Sequence, residues 1–195
     1  MFAQLLKNKE FLSKTERFYK KHKKEVWDIV LFGSGVRGKE KPQDIDILLL
    51  FRHKENLDSA YELRKSLEEV YEHIQVTTKT WETLTTRNFQ AREAFLSEGY
   101  SLIRKQFIAE ELGYNTWILF KYDLKDISQS RRMQLQYALY GRDKKSGISH
   151  KLQLKKFADT VFLCHVEHSE ELQEFFSVWK IPVESFPILL PERTA

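Results

Sequence analysis

The chain has 195 residues, 42% of them hydrophobic and 31% charged, with 14 Phe, 8 Tyr and 4 Trp, so it can bury one large core or two small ones and is not a disordered segment. Seven Gly and four Pro exclude collagen-like and low-complexity classes, one Cys excludes an internal disulfide framework, and no apolar run is long enough to span a bilayer. The net charge of +4 hides segregation: residues 1–24 carry +6 (eight Lys/Arg against two Glu), residues 121–156 carry +7 (ten against three Asp) and residues 157–195 carry −5 (two against seven).

Residues 1–25 read as one helix with Phe2, Leu5, Leu6, Leu12 and Phe18 as its apolar positions. The opening MFAQLLKNKEF has neither an apolar core region nor a small-residue cleavage site, which predicts no signal peptide and a cytoplasmic protein. VWDIVLF (26–32) is rich in β-formers and reads as a buried strand, followed by Gly33-Ser34-Gly35 and a polar loop to Gln43. DIDILLLF (44–51) reads as the next strand. Ala60, Leu63, Leu67 and Val70 fall at helical spacing and predict a helix over 58–72. HIQVTT (73–78) reads as a strand, and 88–98 as a helix closed by Gly99 as its C′ residue.

The pattern then restarts. TWILFKYDL (116–124) predicts a strand, 128–140 a helix ended by Gly141, KLQL (151–154) and TVFLCHV (160–166) two strands, 169–179 a helix, and SFPILL (185–190) an edge strand carrying Pro187. Leu172, Phe175, Phe176 and Trp179 recur at i, i+3, i+4, i+7 as the core stripe of the last helix. The expected fold class is α/β (α+β), with domains over 1–104 and 105–195. The second reads β-α-β-β-α-β, the ferredoxin-like order.

The segment that carries chemistry is LFGSGVRGKEKPQDIDILLLF (31–51). Alternate residues of a strand share a face, so Asp44 and Asp46 project together, away from Ile45 and Ile47. Two carboxylates this close repel unless a cation lies between them, and such oxygen donors suit Mg²⁺ or Mn²⁺ bound together with substrate phosphates. Gly33 admits close backbone approach, Ser34 and neighbouring N–H groups can donate to phosphate oxygens, and Arg37 adds positive charge.

A hydrophobic strand, Gly-Ser, a loop of about ten residues and Asp-hydrophobic-Asp-hydrophobic on the next strand resemble the nucleotidyltransferase superfamily typified by DNA polymerase β, in particular its minimal members, over about residues 25–104. Gly33, Ser34, Asp44, Ile45, Asp46 and Ile47 match that pattern, and Arg37-Gly38 resembles the Arg-Gly of the minimal members' loop. The resemblance implies a mixed sheet flanked by helices. It implies Asp44 and Asp46 as catalytic and metal-holding residues, and Gly33, Ser34, Arg37 and Gly38 as phosphate-binding ones. It further implies transfer of a nucleoside monophosphate from an NTP to a hydroxyl of a nucleic acid, a protein or a small molecule. It also implies a third carboxylate on the following strand, where this chain has Gln75, an amide that cannot act as a base at neutral pH. Glu72 and Glu82 lie outside that strand and replace it poorly. The alternative is a module that binds nucleotide or nucleic acid without turnover and works beside a protein partner, as antitoxin-like members do.

Lys20, Lys21, Lys23 and Lys24, and in the second half Arg131, Arg132, Arg142, Lys144 and Lys145, are candidate contacts to RNA or DNA. Tyr137 and Tyr140 read as core residues in preference to base-stacking ones. A strand, Asp123 and an Arg-bearing helix resemble Cas2-type ferredoxin-like modules, but Asp123 reads as a cap or loop residue. His150, His165 and His168 lack metal-ligand spacing, and Cys164 reads as a small buried hydrophobe.

Overall fold

In the computed structural model, residues 2–39, 43–86, 91–142 and 146–194 are described. Lys144 and Lys145, and residues 88–90 of the helix expected over 88–98, lie outside them. The chain divides into two compact units, Met1–Tyr114 and Asn115–Ala195. Among the described residues no helix is long and apolar enough to cross a membrane.

The expected single N-terminal helix is two: α1 (Phe2–Leu5) and α2 (Lys9–His22). The cause is Asn8, whose side chain accepts from the Glu10 and Phe11 N–H groups at 3.1 Å each and starts a new helix. The buried face of α2 is consequently Phe11, Thr15 and Phe18, and Leu12 stands half-buried.

β1 (Val26–Phe32) runs into a short 3₁₀ turn at Gly33–Gly35, and β2 (Ile45–Phe51) returns beside it. α3 (Leu57–Glu68), capped by Asn56, carries the chain over to β3 (Ile74–Thr80). α4 (Trp81–Leu84) and α5 (Arg92–Glu98) follow. Two elements absent from the sequence reading come next: the two-residue strands β4 (Tyr100–Ser101) and β5 (Gln106–Phe107). α6 (Ile108–Glu111) ends the unit. The sheet order is β3-β2-β1-β4-β5. β1 is antiparallel to β2 and to β4, whereas β2 and β3 are parallel because a helical crossover joins them.

The near-continuous burial of β1 and β2 reflects cover on both faces of the sheet. One core layer gathers Val30, Phe32, Leu48, Leu50, Phe95 and Ile108. Gly99 is not the left-handed cap expected of it, since its φ is −63°. It is glycine for space: a Cβ there would lie 2.2 Å from the Phe95 carbonyl oxygen and 3.1–3.2 Å from Val30 and Ile108. Because β5 pairs with β4, residues 105–114 join the first unit, and the division falls after Tyr114 in place of residue 104.

The second unit contains β6 (Tyr114–Tyr122), α7 (Gln129–Tyr140), α8 (Ile148–Lys151), β7 (Lys155–Ala158), β8 (Val161–His165), α9 (Ser169–Trp179) and β9 (Val183–Pro191). Its sheet order is β7-β8-β6-β9, with β8 antiparallel to both β6 and β7. The strand expected at 151–154 is displaced to 155–158: Lys151 closes α8, Leu152 caps it and Gln153 turns at φ 51°. Stacked rings of Phe120, Tyr122, Phe162 and Phe176 build the core. Of the α9 stripe, Leu172 and Phe176 are buried, while Phe175 and Trp179 stand half-buried. Tyr137 is exposed beside the Arg142 guanidinium, 5.5 Å from its ring, and is no core residue.

Candidate functional site

The first sheet brings the conspicuous residues to one end. Gly33 opens the turn that ends β1, and Asp46 pairs with Phe32 at the start of β2. The Asp46 side chain lies so close to Gly33 that a Cβ there would be 2.6 Å from Asp46 Oδ2, and the turn also needs a φ of +74°, a conformation open to glycine. The Gly33 carbonyl accepts the N–H groups of Val36 (3.0 Å) and Arg37 (3.2 Å), which fixes the turn. The Ser34 carbonyl accepts the Lys39 N–H at 3.3 Å, and Gly38 takes a φ of +90° in between.

Asp44 immediately precedes β2. On β3, Gln75 stands opposite Asp46 in the parallel register and donates its amide to Asp44 Oδ2 at 2.7 Å. Burial raises the Asp46 pKa, the neighbouring Asp44 carboxylate raises it further, and Arg37 opposes both. Among the described residues no group donates a hydrogen bond to the Asp46 carboxylate. Two oxygen donors, one of them short of partners, suit a hard divalent cation such as Mg²⁺ or Mn²⁺. Among the described residues no three His, Cys, Asp or Glu side chains gather.

Sequence reasoning missed Glu98. It lies buried at the end of α5, and both its carboxylate oxygens accept from Arg37 Nη1, at 3.0 and 3.2 Å. Arg37 is therefore anchored by a residue 61 positions away, a separation no local motif discloses. The basic candidates are elsewhere. Lys21 pairs with Glu62 at 2.7 Å, while Lys20, Lys23 and Lys24 are exposed. In the second unit Arg131 donates to the Trp179 carbonyl at 2.7 Å, and Arg132 to the carbonyls of Ile127 and Lys125. Asp123 accepts the Lys125 N–H at 2.9 Å, a loop role. Cys164 is fully buried, which pushes its thiol up to about 12.

The first hairpin of the five-stranded sheet thus closes a glycine–serine turn onto the start of an Asp-x-Asp strand. Residues 13–107 match the family described as polymerase beta, nucleotidyltransferase. No curated protein matches the chain. Among solved structures it is similar to a mutant of the toxin-antitoxin MntA-HpeT (16% identity, TM-score 0.37, covering 47% of this chain and 70% of that one). A toxin-antitoxin with AMP-PNP is similar at 19% identity and TM-score 0.37, covering 47% and 71%. A tri-AMPylated Shewanella oneidensis HEPN toxin in complex with MNT antitoxin is similar at 19% identity and TM-score 0.32, covering 47% and 67%.

Proposed function

We propose that the first unit is a Mg²⁺- or Mn²⁺-dependent nucleotidyltransferase that moves a nucleoside monophosphate from an NTP to a hydroxyl of a nucleic acid or protein. The observation that carries this reading is the approach of Gly33 to Asp46, which sets the phosphate-binding turn directly against a carboxylate pair. N–H groups of the turn and the Ser34 hydroxyl receive the β- and γ-phosphates. Arg37, anchored by Glu98, supplies positive charge beside Asp46. Asp44 and Asp46 hold the cation, which when bound neutralises charge on the triphosphate. The acceptor oxygen bonds to the α-phosphorus, the α–β bridging P–O bond breaks, and pyrophosphate carries away that electron pair; the acceptor's proton passes to water.

Gln75 favours a second reading. Its amide lies where the resemblance implies a third carboxylate, and its N–H occupies one oxygen of Asp44. A side chain that cannot accept a proton leaves the acceptor hydroxyl without a base, so the domain would bind nucleotide and turn over slowly or act through a partner. The ferredoxin-like reading of the second unit is supported by its strand order β7-β8-β6-β9.

Incubation of the full chain with α-labelled NTPs, Mg²⁺ or Mn²⁺, and RNA or protein acceptors tests the choice. Label transfer that falls about 10³-fold in Asp44→Ala and in Asp46→Ala supports the enzyme. Nucleotide binding without transfer under either metal supports the binding module. In that case Gln75→Asp is expected to bring label transfer up to a measurable rate, a gain of about 10²-fold, the low end of general-base effects.

A further inference from the structure

The opposite end of the first sheet holds a cavity of about 510 Å³ that the transfer chemistry does not use. It opens beside Trp27 and Asp28, near the start of β1, and beside Phe51 at the end of β2. Asp28 is four residues along β1 from Phe32, so the cavity is about 13 Å from the Gly33–Asp46 contact. Its floor reaches core side chains, including Phe51 and Phe95. Its walls are large apolar residues left open to solvent: Trp27 at 41%, Trp81 at 50% and Leu112 at 54% exposure. Exposed indoles ringed around a hole into a core mark a binding site more often than a free surface.

Charge selects the kind of ligand. The inner acid group is closed on itself: Arg104 Nη1 contacts Asp28 at 3.1 Å and Glu111 at 2.9 Å, and Ser101 donates to Asp28 at 2.9 Å. Arg52 is different. Its Nε donates to the Lys23 carbonyl at 3.3 Å and its guanidinium lies 5.0 Å from the Trp27 ring, but among the described residues it meets no carboxylate. Lys23, Lys24 and Lys54 are exposed around the same end and also pair with no carboxylate among the described residues. Lys24 and Lys54 line a second cavity that shares His53 with the first. The second cavity also carries Glu25, which accepts from Asn56, and Glu55, which pairs with Lys79, so in the first cavity Arg52 is the cation left for a ligand, beside a mainly aromatic and apolar lining.

We propose that this cavity binds a small aromatic organic anion, with its ring system against Trp27, Trp81 and Leu112 and its acidic group on Arg52. The site is separate from the transfer centre, so the two readings stand or fall independently. The probe is 1-anilinonaphthalene-8-sulfonate, titrated into the full chain and read by energy transfer from tryptophan. A single saturable site is expected, weakened about tenfold by Trp81→Ala and by Arg52→Gln, each a loss of one stacking or charge contact of roughly 1–2 kcal/mol. Both residues are exposed, so both variants should melt as the parent does. Asp46→Asn should bind the dye unchanged, and the uncharged N-phenyl-1-naphthylamine should bind about tenfold more weakly, the equivalent of one lost charge contact. Unchanged dye affinity in both variants, or equal affinity for the uncharged dye, would overturn the proposal. Displacement of the dye by a single-stranded oligonucleotide, with no displacement by aromatic carboxylates, would also overturn it in favour of a polynucleotide.

Discussion

Two aspartates mark the two ends of the same hairpin and have opposite surroundings. Asp28, near the start of β1, is buried, and burial raises its pKa; against that it accepts Ser101 Oγ, its neighbour's Ile29 N–H and the Arg104 guanidinium. Asp46, near the start of β2, is also raised by burial, yet its strongest neighbour is a second carboxylate. One carboxylate is completed by the fold. The other is left short of partners and crowded, which is the condition in which an external cation gains most.

That contrast can be broken by substitution. The largest effect on stability is expected from Asp28→Ala. It leaves the buried Ser101 hydroxyl without its acceptor and removes one of the two carboxylates on Arg104 Nη1, and should cost about 2–3 kcal/mol in urea unfolding. Arg104 keeps Glu111, so the loss stays below that of an orphaned buried charge. An undiminished midpoint would show that Asp28 is not held as its contacts indicate.

Gly33→Ala is expected to cost about 1 kcal/mol from its left-handed backbone. Its added Cβ must also displace Asp46 Oδ2, so nucleotide affinity should fall by about tenfold, a single-contact loss. Equal affinity in calorimetric titration would separate the turn from the carboxylate.

The smallest effect is present at neutral pH and vanishes in acid. Because the folded pKa of Asp46 lies above the ordinary 3.8, folding favours its protonated form. That contribution is fully present below 3.8 and is lost as pH rises through the raised value, so at pH 7 the ionised Asp46 costs stability. Asp46→Asn should raise Tm at pH 7 by on the order of 1–2 °C, with the gain disappearing in acid below 3.8. A melting series of both proteins across pH checks the sign.

The two ends also differ in how far the sequence discloses them. Gly33-Ser34 follows β1 and Asp44-x-Asp46 opens β2 eleven residues or so later, and a period of two is enough to expect both carboxylates on one side. The strands β1 and β2 were legible for the same reason, being short and almost wholly apolar. Asp28 was not legible, because its partners Ser101 and Arg104 lie 73 and 76 residues on. They arrive through β4, a two-residue strand that carries no periodicity. Arg37 was read as a phosphate ligand from its loop alone, and its anchor Glu98 came from a helix end. At the N-terminus a local competitor misled the reading: the Asn8 side chain offers the next turn a cap and breaks what apolar spacing presents as one helix. In the second unit the KLQL strand failed because Leu152 is buried as a helix cap, where burial alone looks like a strand.

The central claim is that Asp44 and Asp46 form a divalent-cation site facing a phosphate-binding turn. It is tested most directly by electron paramagnetic resonance of Mn²⁺ titrated into the full chain with and without a non-hydrolysable ATP analogue. The account predicts that bound Mn²⁺ rises when the nucleotide is added, and that both the bound signal and its nucleotide dependence disappear in Asp46→Asn. Mn²⁺ binding that is absent from the parent, or that persists unchanged in Asp46→Asn, would contradict it.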